Sequence, residues 1–240
     1  MEIIMNIKIL GTRGEIEPTK PYHSRHSGVL IDNKILFDIG EEKFLDYNPK
    51  YVFITHLHPD HAFFVRDNYD KKINFSMPVY GPESFNNIVK RIKKRNIKIS
   101  SYTILSIPTH HSKKVKSTAY LITKDNQKIL YTGDLIWINK EYHHLLKNID
   151  LIITEASFIG QQGMIQRDKK TGQIYGHAGI PKLINLFKKF TNNILFLHFG
   201  EWFFENVPEA RKKLQKLGMK NEVNVITSYD GFEFKLIDLI

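Results

Sequence analysis

The chain of 240 residues has no cysteine, which excludes disulfides, thiolate metal sites and thiol nucleophiles together and leaves His, Asp and Glu to hold any metal. With 42% apolar and 25% charged residues it has the balance of an ordinary globular protein, and no stretch approaches the roughly 20 apolar residues that cross a bilayer. The formal charge of +10 favours a polyanionic partner, either nucleic acid or a phosphorylated substrate, although lysine runs such as KRIKKR at 90–95 and RKKLQK at 211–216 equally suit solvated helix faces.

The opening MEIIMNIKILGTRG has neither a basic leader nor a small-residue cleavage site, so a soluble, cytoplasmic protein is expected. Short runs rich in Ile, Val, Phe and Tyr then predict strands: IKIL at 7–10, GVLI at 28–31, KILFDIG at 34–40 and YVFIT at 51–55. The Asp-Asn-Lys turn between the second and third predicts a hairpin. Phe85, Ile88, Val89 and Ile92 follow helical spacing, which predicts a helix over SFNNIVKRIKKRN at 84–96. Strands are expected again at TAYLIT (118–123), KILYTGD (128–134) and DLIITEASF (150–158). Residues 159–179 lack periodicity and read as a long loop, of the kind that is often functional. A helix follows over GIPKLINLFKKF with Pro181 in its first turn, then the strand NILFLHFG at 193–200. The helix PEARKKLQKLG is expected to end at Gly218, with strands VNVIT (223–227) and FEFKLI (232–237) after it. No repeat or linker divides the chain, so one domain over 1–240 is the simplest reading.

The chemistry concentrates in THLHPDH, residues 55–61. His56, His58, Asp60 and His61 leave the carboxyl end of a buried strand in one short loop, a donor set that suits divalent cations and suffices to begin two adjacent sites. Clustered, unpaired surface imidazoles would repel one another once protonated and add nothing to a core. Further donors stand at other strand ends: His110 and His111 after YTILSIPT, Asp134 in KILYTGD and His198 in NILFLHFG. Each of these alone would equally serve as a cap or a structural hydrogen-bonding residue.

THLHPDH, then HHS, TGD and LHFG, in that order, resemble the metallo-β-lactamase superfamily of metal-dependent hydrolases over nearly the whole chain. The resemblance implies an α/β fold, a four-layer αββα sandwich with the site at one edge. It implies two divalent metal ions, zinc by default with manganese or iron also suited. His56, His58 and His111 would hold the first ion, Asp60, His61 and His198 the second, and Asp134 would bridge them. His111 is preferred to His110 because HHSKKVKSTAYLI resembles the family's pattern of His, short loop and strand. Two such ions acidify a shared water and polarise the substrate, while Asp60 orients the water and takes its proton.

IDLIITEASF and YGHAG further resemble elements of the phosphodiesterase branch, which includes the ribonuclease Z group. That resemblance makes His177 a candidate general acid with Glu155 as its partner; a helix-flanking loop histidine is the plain alternative. Ala62, Phe63 and Phe64 replace the glycines of glyoxalase-type thioesterases, and His58 replaces the Glu of flavodiiron proteins. Between His61 and His111 the segment SMPVYGPES and one helix leave little room for a tRNA-gripping arm. Arg13, His23, Arg25 and His26 form either a phosphate-binding segment or a polar surface loop. His143 and His144 read as an exposed helix pair, and Trp137 and Trp202 as core or rim residues, with Trp202 near enough to His198 to line a pocket.

The leading expectation is a dinuclear phosphodiesterase or nuclease acting on a phosphodiester, with nucleic acid among the candidates, a homodimer as an allowed assembly and no membrane partner. A lactonase or other ester hydrolase on the same metals is the alternative. A third reading is a non-catalytic, metal-containing nucleic-acid-binding protein, against which the intact Asp60 argues.

Overall fold

The computed structural model describes residues 4–67 and 75–239. In chain order the strands begin with β1 (Asn6–Gly11), β2 (Gly28–Ile31), β3 (Ile35–Phe37), β4 (Tyr51–Phe53), β5 (Val79–Gly81) and β6 (Val89–Arg91). They continue with β7 (Asn96–Ile99), β8 (Tyr102–His110), β9 (Ser117–Lys124), β10 (Gln127–Tyr131), β11 (Trp137–Ile138), β12 (Leu151–Ala156), β13 (Met164–Arg167) and β14 (Ile174–His177). Helix α1 (Ile180–Phe187) precedes β15 (Asn193–Phe199), and α2 (Glu201–Glu205) and α3 (Val207–Asn221) precede β16 (Asn224–Thr227) and β17 (Glu233–Lys235).

Two sheets carry the fold. The first runs β17-β1-β2-β3-β4-β5-β6 and the second β11-β8-β9-β10-β12-β15-β16, with β7 paired to β8. Each is antiparallel on one side and parallel on the other: β3, β4, β5 and β6 are parallel in the first sheet, and β10, β12, β15 and β16 in the second. The strands read as unbroken apolar runs because both of their faces are covered. In β2, Val29 and Ile31 pack between the sheets while Leu30 points to the outer face; in β12, Leu151 and Ile153 point inward and Ile152 outward. The inner layer brings Phe37 and Phe53 against Tyr120 and Tyr131, with ring centroids 5.4 to 6.0 Å apart where Phe53 meets Tyr120 and Phe37 meets Tyr131.

Helices α1, α2 and α3 cover the outer face of the second sheet through Leu183, Ile184, Phe187, Phe203 and Leu214. Over the first sheet the outer layer, among the described residues, is made of 3₁₀ turns at Glu42–Tyr47 and Phe63–Val65. The αββα plan is therefore present but uneven. No helix among the described residues is long and apolar enough to cross a membrane.

The predicted hairpin forms, with Asp32 and Asn33 both at φ near +50° in the three-residue connection 32–34 between Ile31 and Ile35. Three expectations are corrected. Residues 84–96 are not a helix: Val89 joins β6 at the edge of the first sheet, and Asn96 begins β7 on the second, so this segment crosses between the sheets. Phe85, Ile88 and Val89 pack outside the first sheet while Ile92 packs between the two, so the apparent stripe is divided between layers. The rest of the interval said to lack room for an arm includes residues 68–74, which lie outside the described residues. Helix α3 runs past Gly218 to Asn221 and is capped by Glu222 at φ +58°; Gly218 is instead a packing glycine, where a Cβ would lie 2.9 Å from Val225. Residues 159–179 contain the β13–β14 hairpin rather than an unstructured loop.

Candidate metal centre

The parallel strands of both sheets end at one edge, and the chemistry-bearing residues leave from there: Asp38 after β3, His56 after β4, Asp134 after β10, Glu155 in β12 and His198 in β15. His111 follows β8 at the same edge. Gly133, at φ +58°, lets the TGD turn press against Thr55, where a Cβ would fall 2.5 Å from the hydroxyl oxygen. His198 is itself at φ +54°, where the β12–β15 register shifts, and this bulge turns its ring toward Asp60.

Two groups of donors result. Nitrogens of His56, His58 and His111 form one group, and donors of Asp60, His61, Asp134 and His198 the other, each set lying within 4.8 Å of one another. His58 Nδ1 is 3.0 Å from His56 Nε2 and 3.2 Å from His111 Nε2. His198 Nε2 is 2.7 Å from Asp60 Oδ2. Asp134 divides its oxygens: Oδ1 lies 3.3 Å from His61 Nε2 and 3.5 Å from His198 Nε2, while Oδ2 lies 3.8 Å from His56 and His111 Nε2. His177 Nδ1 is also 3.8 Å from Asp134 Oδ2, so His111, Asp134 and His177 form a third overlapping group.

The seven residues of the expected ligand set thus converge, and His111 enters the cluster. His110 does not: its ring stacks on Trp137 at 4.4 Å and bonds Asn139. Two buried atoms in the cluster, His61 Nε2 and Asp134 Oδ1, have no hydrogen-bond partner. An unsatisfied buried pair of this kind is costly to an apolar core, and both atoms face the point shared by the second group. The donor set, imidazole nitrogen and carboxylate oxygen only, fits divalent cations such as Zn²⁺.

Outer contacts orient the imidazoles. His111 Nδ1 donates to the Gly176 carbonyl at 3.0 Å, which leaves Nε2 for the cluster. Gly176 reaches that position at φ +120°, where a Cβ would strike the Met164 carbonyl at 1.9 Å. His61 Nδ1 donates to Asp38 at 2.7 Å, and Asp38 also accepts from the Thr55 N–H and the Tyr131 hydroxyl. In the sequence Asp38 reads only as part of the strand KILFDIG; its signal is an acidic residue closing an apolar run, in FDIG.

Charge in the chain alone follows the same division. Burial, and then the neighbouring His61 and His111, hold His56 well below the ordinary histidine value, and burial with His111 lowers His58 to about 4. Both rings are then neutral, the form that ligates. Burial alone would lower His61 and His198, but the surrounding carboxylates outweigh it and raise both; burial would likewise raise Asp60 and Asp134, and the imidazoles hold both low.

His177 binds Glu155 Oε2 through Nδ1 at 2.7 Å, and Glu155 Oε1 accepts the Leu135 N–H. Burial disfavours charge on this ring, but Glu155 prevails and raises it to about 9. A cleft of 560 Å³ opens over the centre, with His58, Asp134, His177 and His198 at its base and Phe158, Met164 and Trp202 among its walls. Trp202 is fixed there by donating to the Ala156 carbonyl. The segment 12–26 does not present its cations to the centre. Arg13 donates to the Ser24 and Ile16 carbonyls, His23 is buried, and His26 is tied to Glu41 and Arg66. This segment supports the site instead, with Gly14 packed against the His198 ring. His143 and His144 lie in a single 3₁₀ turn at Lys140–Leu145, with His143 against Phe190.

Residues 45–199 match the family described as the Beta-lactamase superfamily domain, more than half of the chain. The protein belongs to the metallo-β-lactamase superfamily of metal-dependent hydrolases. Among solved structures it is similar to the metallo-β-lactamase fold protein YhfI from Bacillus subtilis, at 20% identity and TM-score 0.70, covering 97% of this chain and 99% of that one. It is also similar to a diphosphatase of the PhnP family (14%, TM-score 0.67, 97% of each chain) and to human tRNase Z, short form (17%, TM-score 0.62, 96% of this chain and 99% of that one). No curated protein sequence matches it.

Proposed function

We propose that the protein is a dinuclear metal-dependent phosphodiesterase. The observation that carries this reading is the division of Asp134 between two donor groups beneath one cleft, with His177 held at the cleft wall by Glu155. His56, His58 and His111 would hold one divalent cation and Asp60, His61 and His198 the other, with Asp134 between them. Such a pair supplies an acidified water and neutralises charge that develops on a phosphate.

The chain's own residues supply the rest. Asp60, held by His198 at 2.7 Å, would orient the water and accept its proton. Glu155 holds the Nδ1 proton of His177, which leaves Nε2 as the ring nitrogen available to a substrate in the cleft. With its pKa raised to about 9, that ring carries a proton at neutral pH and can donate it to a leaving oxygen. A diphosphatase and a tRNase Z among the similar structures support phosphoester chemistry.

A second reading, hydrolysis of a lactone or other neutral ester, is favoured by the apolar cleft walls at Phe158, Ile159 and Met164. The deciding experiment is hydrolysis of bis(p-nitrophenyl) phosphate by metal-loaded protein, beside a chelated sample and the Asp60→Ala variant. Metal-dependent cleavage that falls by about 10²–10⁴ in the variant supports the phosphodiesterase. Absence of cleavage by fully metallated protein, with turnover of a lactone, establishes the second reading instead.

A further inference from the structure

We infer that a basic groove beside the metal centre binds a single-stranded nucleic acid; the inference rests on the phosphodiesterase reading and names its substrate class. The groove, of 620 Å³, lies between the β6–β7 connection and the loop that follows β8. Arg91 and Lys93 line one wall, and Lys114 and Lys116 the other. All four are exposed, and among the described residues none has a carboxylate partner. The acidic residue of the lining, Glu83, is engaged by the Lys116 backbone N–H at 2.9 Å.

The groove leads into the site. His111, one of the clustered imidazoles, forms part of its floor, and the next residue, Ser112, has its hydroxyl 3.5 Å from His58 Nε2. A chain of phosphates lying along the lysines therefore arrives beside the donor cluster at His111, with Glu83 the one carboxylate among the lining residues. The cleft on the far side has the opposite sign: Glu15, Glu201 and Glu205 are exposed at its rim. The flanking phosphates of a strand therefore lie in the groove rather than along this rim.

Single-stranded nucleic acid fits better than other polyanions. A concave channel excludes a planar bilayer. His110, stacked on Trp137 within the lining, and Arg95, held over the Tyr142 ring at 4.8 Å, offer flat surfaces against which bases stack, which a bare polyphosphate cannot use.

The test is fluorescence anisotropy of metal-loaded, full-length protein with a short fluorescein-labelled oligonucleotide whose phosphorothioate linkages resist cleavage. Replacing Lys93, Lys114 and Lys116 together by alanine should weaken binding ten- to hundredfold and reduce the slope of log affinity against log salt by about 2, at roughly 0.7 per cation on a single strand. Replacing Lys213, Lys216 and Lys220 on α3 removes the same charge elsewhere and should leave the slope unchanged. Equal losses in both triple variants, or no binding by the unaltered protein, would overturn the inference, as would displacement of the strand by inorganic polyphosphate at equal phosphate concentration. Charge reversal by Lys114→Glu alone should reproduce the direction of the loss, and matching melting curves exclude misfolding. Binding is read without turnover, so its failure leaves the phosphodiesterase reading to be judged by the small phosphodiester.

Discussion

Asp38 and His61 are hydrogen-bonded at 2.7 Å with both side chains sealed from solvent. The carboxylate fixes the ring so that Nε2, which has no other partner, faces Asp60 and Asp134. Asp38→Asn keeps shape and tolerates the residue's φ of +56°, but it weakens the acceptor. Affinity for the second metal should fall by about 10–100-fold. Calorimetric titration of metal into the chelated variant checks this; an unchanged second site would mean that His61 is held by packing alone.

His177 and Glu155 form the other such pair, and a merely structural role would show itself in the metal content. His177→Gln should lower phosphodiester turnover by about 10²–10⁴ while both metals remain bound by elemental analysis. Glu155→Gln should lower kcat more than it raises KM, because it withdraws the partner that keeps the His177 proton. If either variant loses metal in proportion to activity, His177 belongs to the ligand set, as its 3.8 Å approach to Asp134 permits.

The adjacent histidines 110 and 111 separate cleanly. His111→Ala should remove a metal, seen as a stoichiometry one lower than that of the unaltered protein. His110→Ala should keep full metal content and cost about 1 kcal/mol of stability through the lost stack on Trp137, measured by denaturant titration.

His23 gives a pH dependence away from the metal centre. Its Nδ1–H donates to Thr12 Oγ1, whose hydroxyl donates to Asp230, and Arg211 donates to Nε2 at 3.1 Å, so the ring is neutral. Burial, and then Arg211, lower it to about 4. Between pH 4 and an unfolded value near 6.5 the unfolded chain binds a proton that the folded chain refuses. This contribution is complete above about 6.5 and is lost as pH falls toward 4, by up to about 3 kcal/mol. Melting temperatures across that window should fall less steeply for His23→Gln; parallel curves would exclude the network as the cause.

The strands and the clustering of the His and Asp side chains were legible because each was specified locally. A doubly covered strand is apolar at every position, and a loop with three imidazoles and a carboxylate has few structural uses. The segment 84–96 misled because helical spacing records only which residues avoid water; it does not say whether one layer or two provide the cover. Gly218 misled similarly, since a glycine that permits a close approach reads the same as one that ends a helix. His110 ends β8 and His111 is the next residue, so their side chains diverge, and the register that decides between them is set by the pairing of His110 with Trp137 in β11.

By itself the sequence determined the chemistry on offer: nitrogen and oxygen donors without sulfur, carried at the ends of apolar strands, in a basic chain. Tertiary structure decided what those residues do. It gathered residues as distant in the chain as Asp60 and His198, 138 positions apart, into one buried cluster. It assigned Asp38 and Glu155 to orienting histidines, and it sorted the lysines into a groove on one side and the glutamates onto a rim on the other. Donor type is a property of each side chain, whereas distance, burial and sign of field depend on which strand ends the two sheets bring to the same edge.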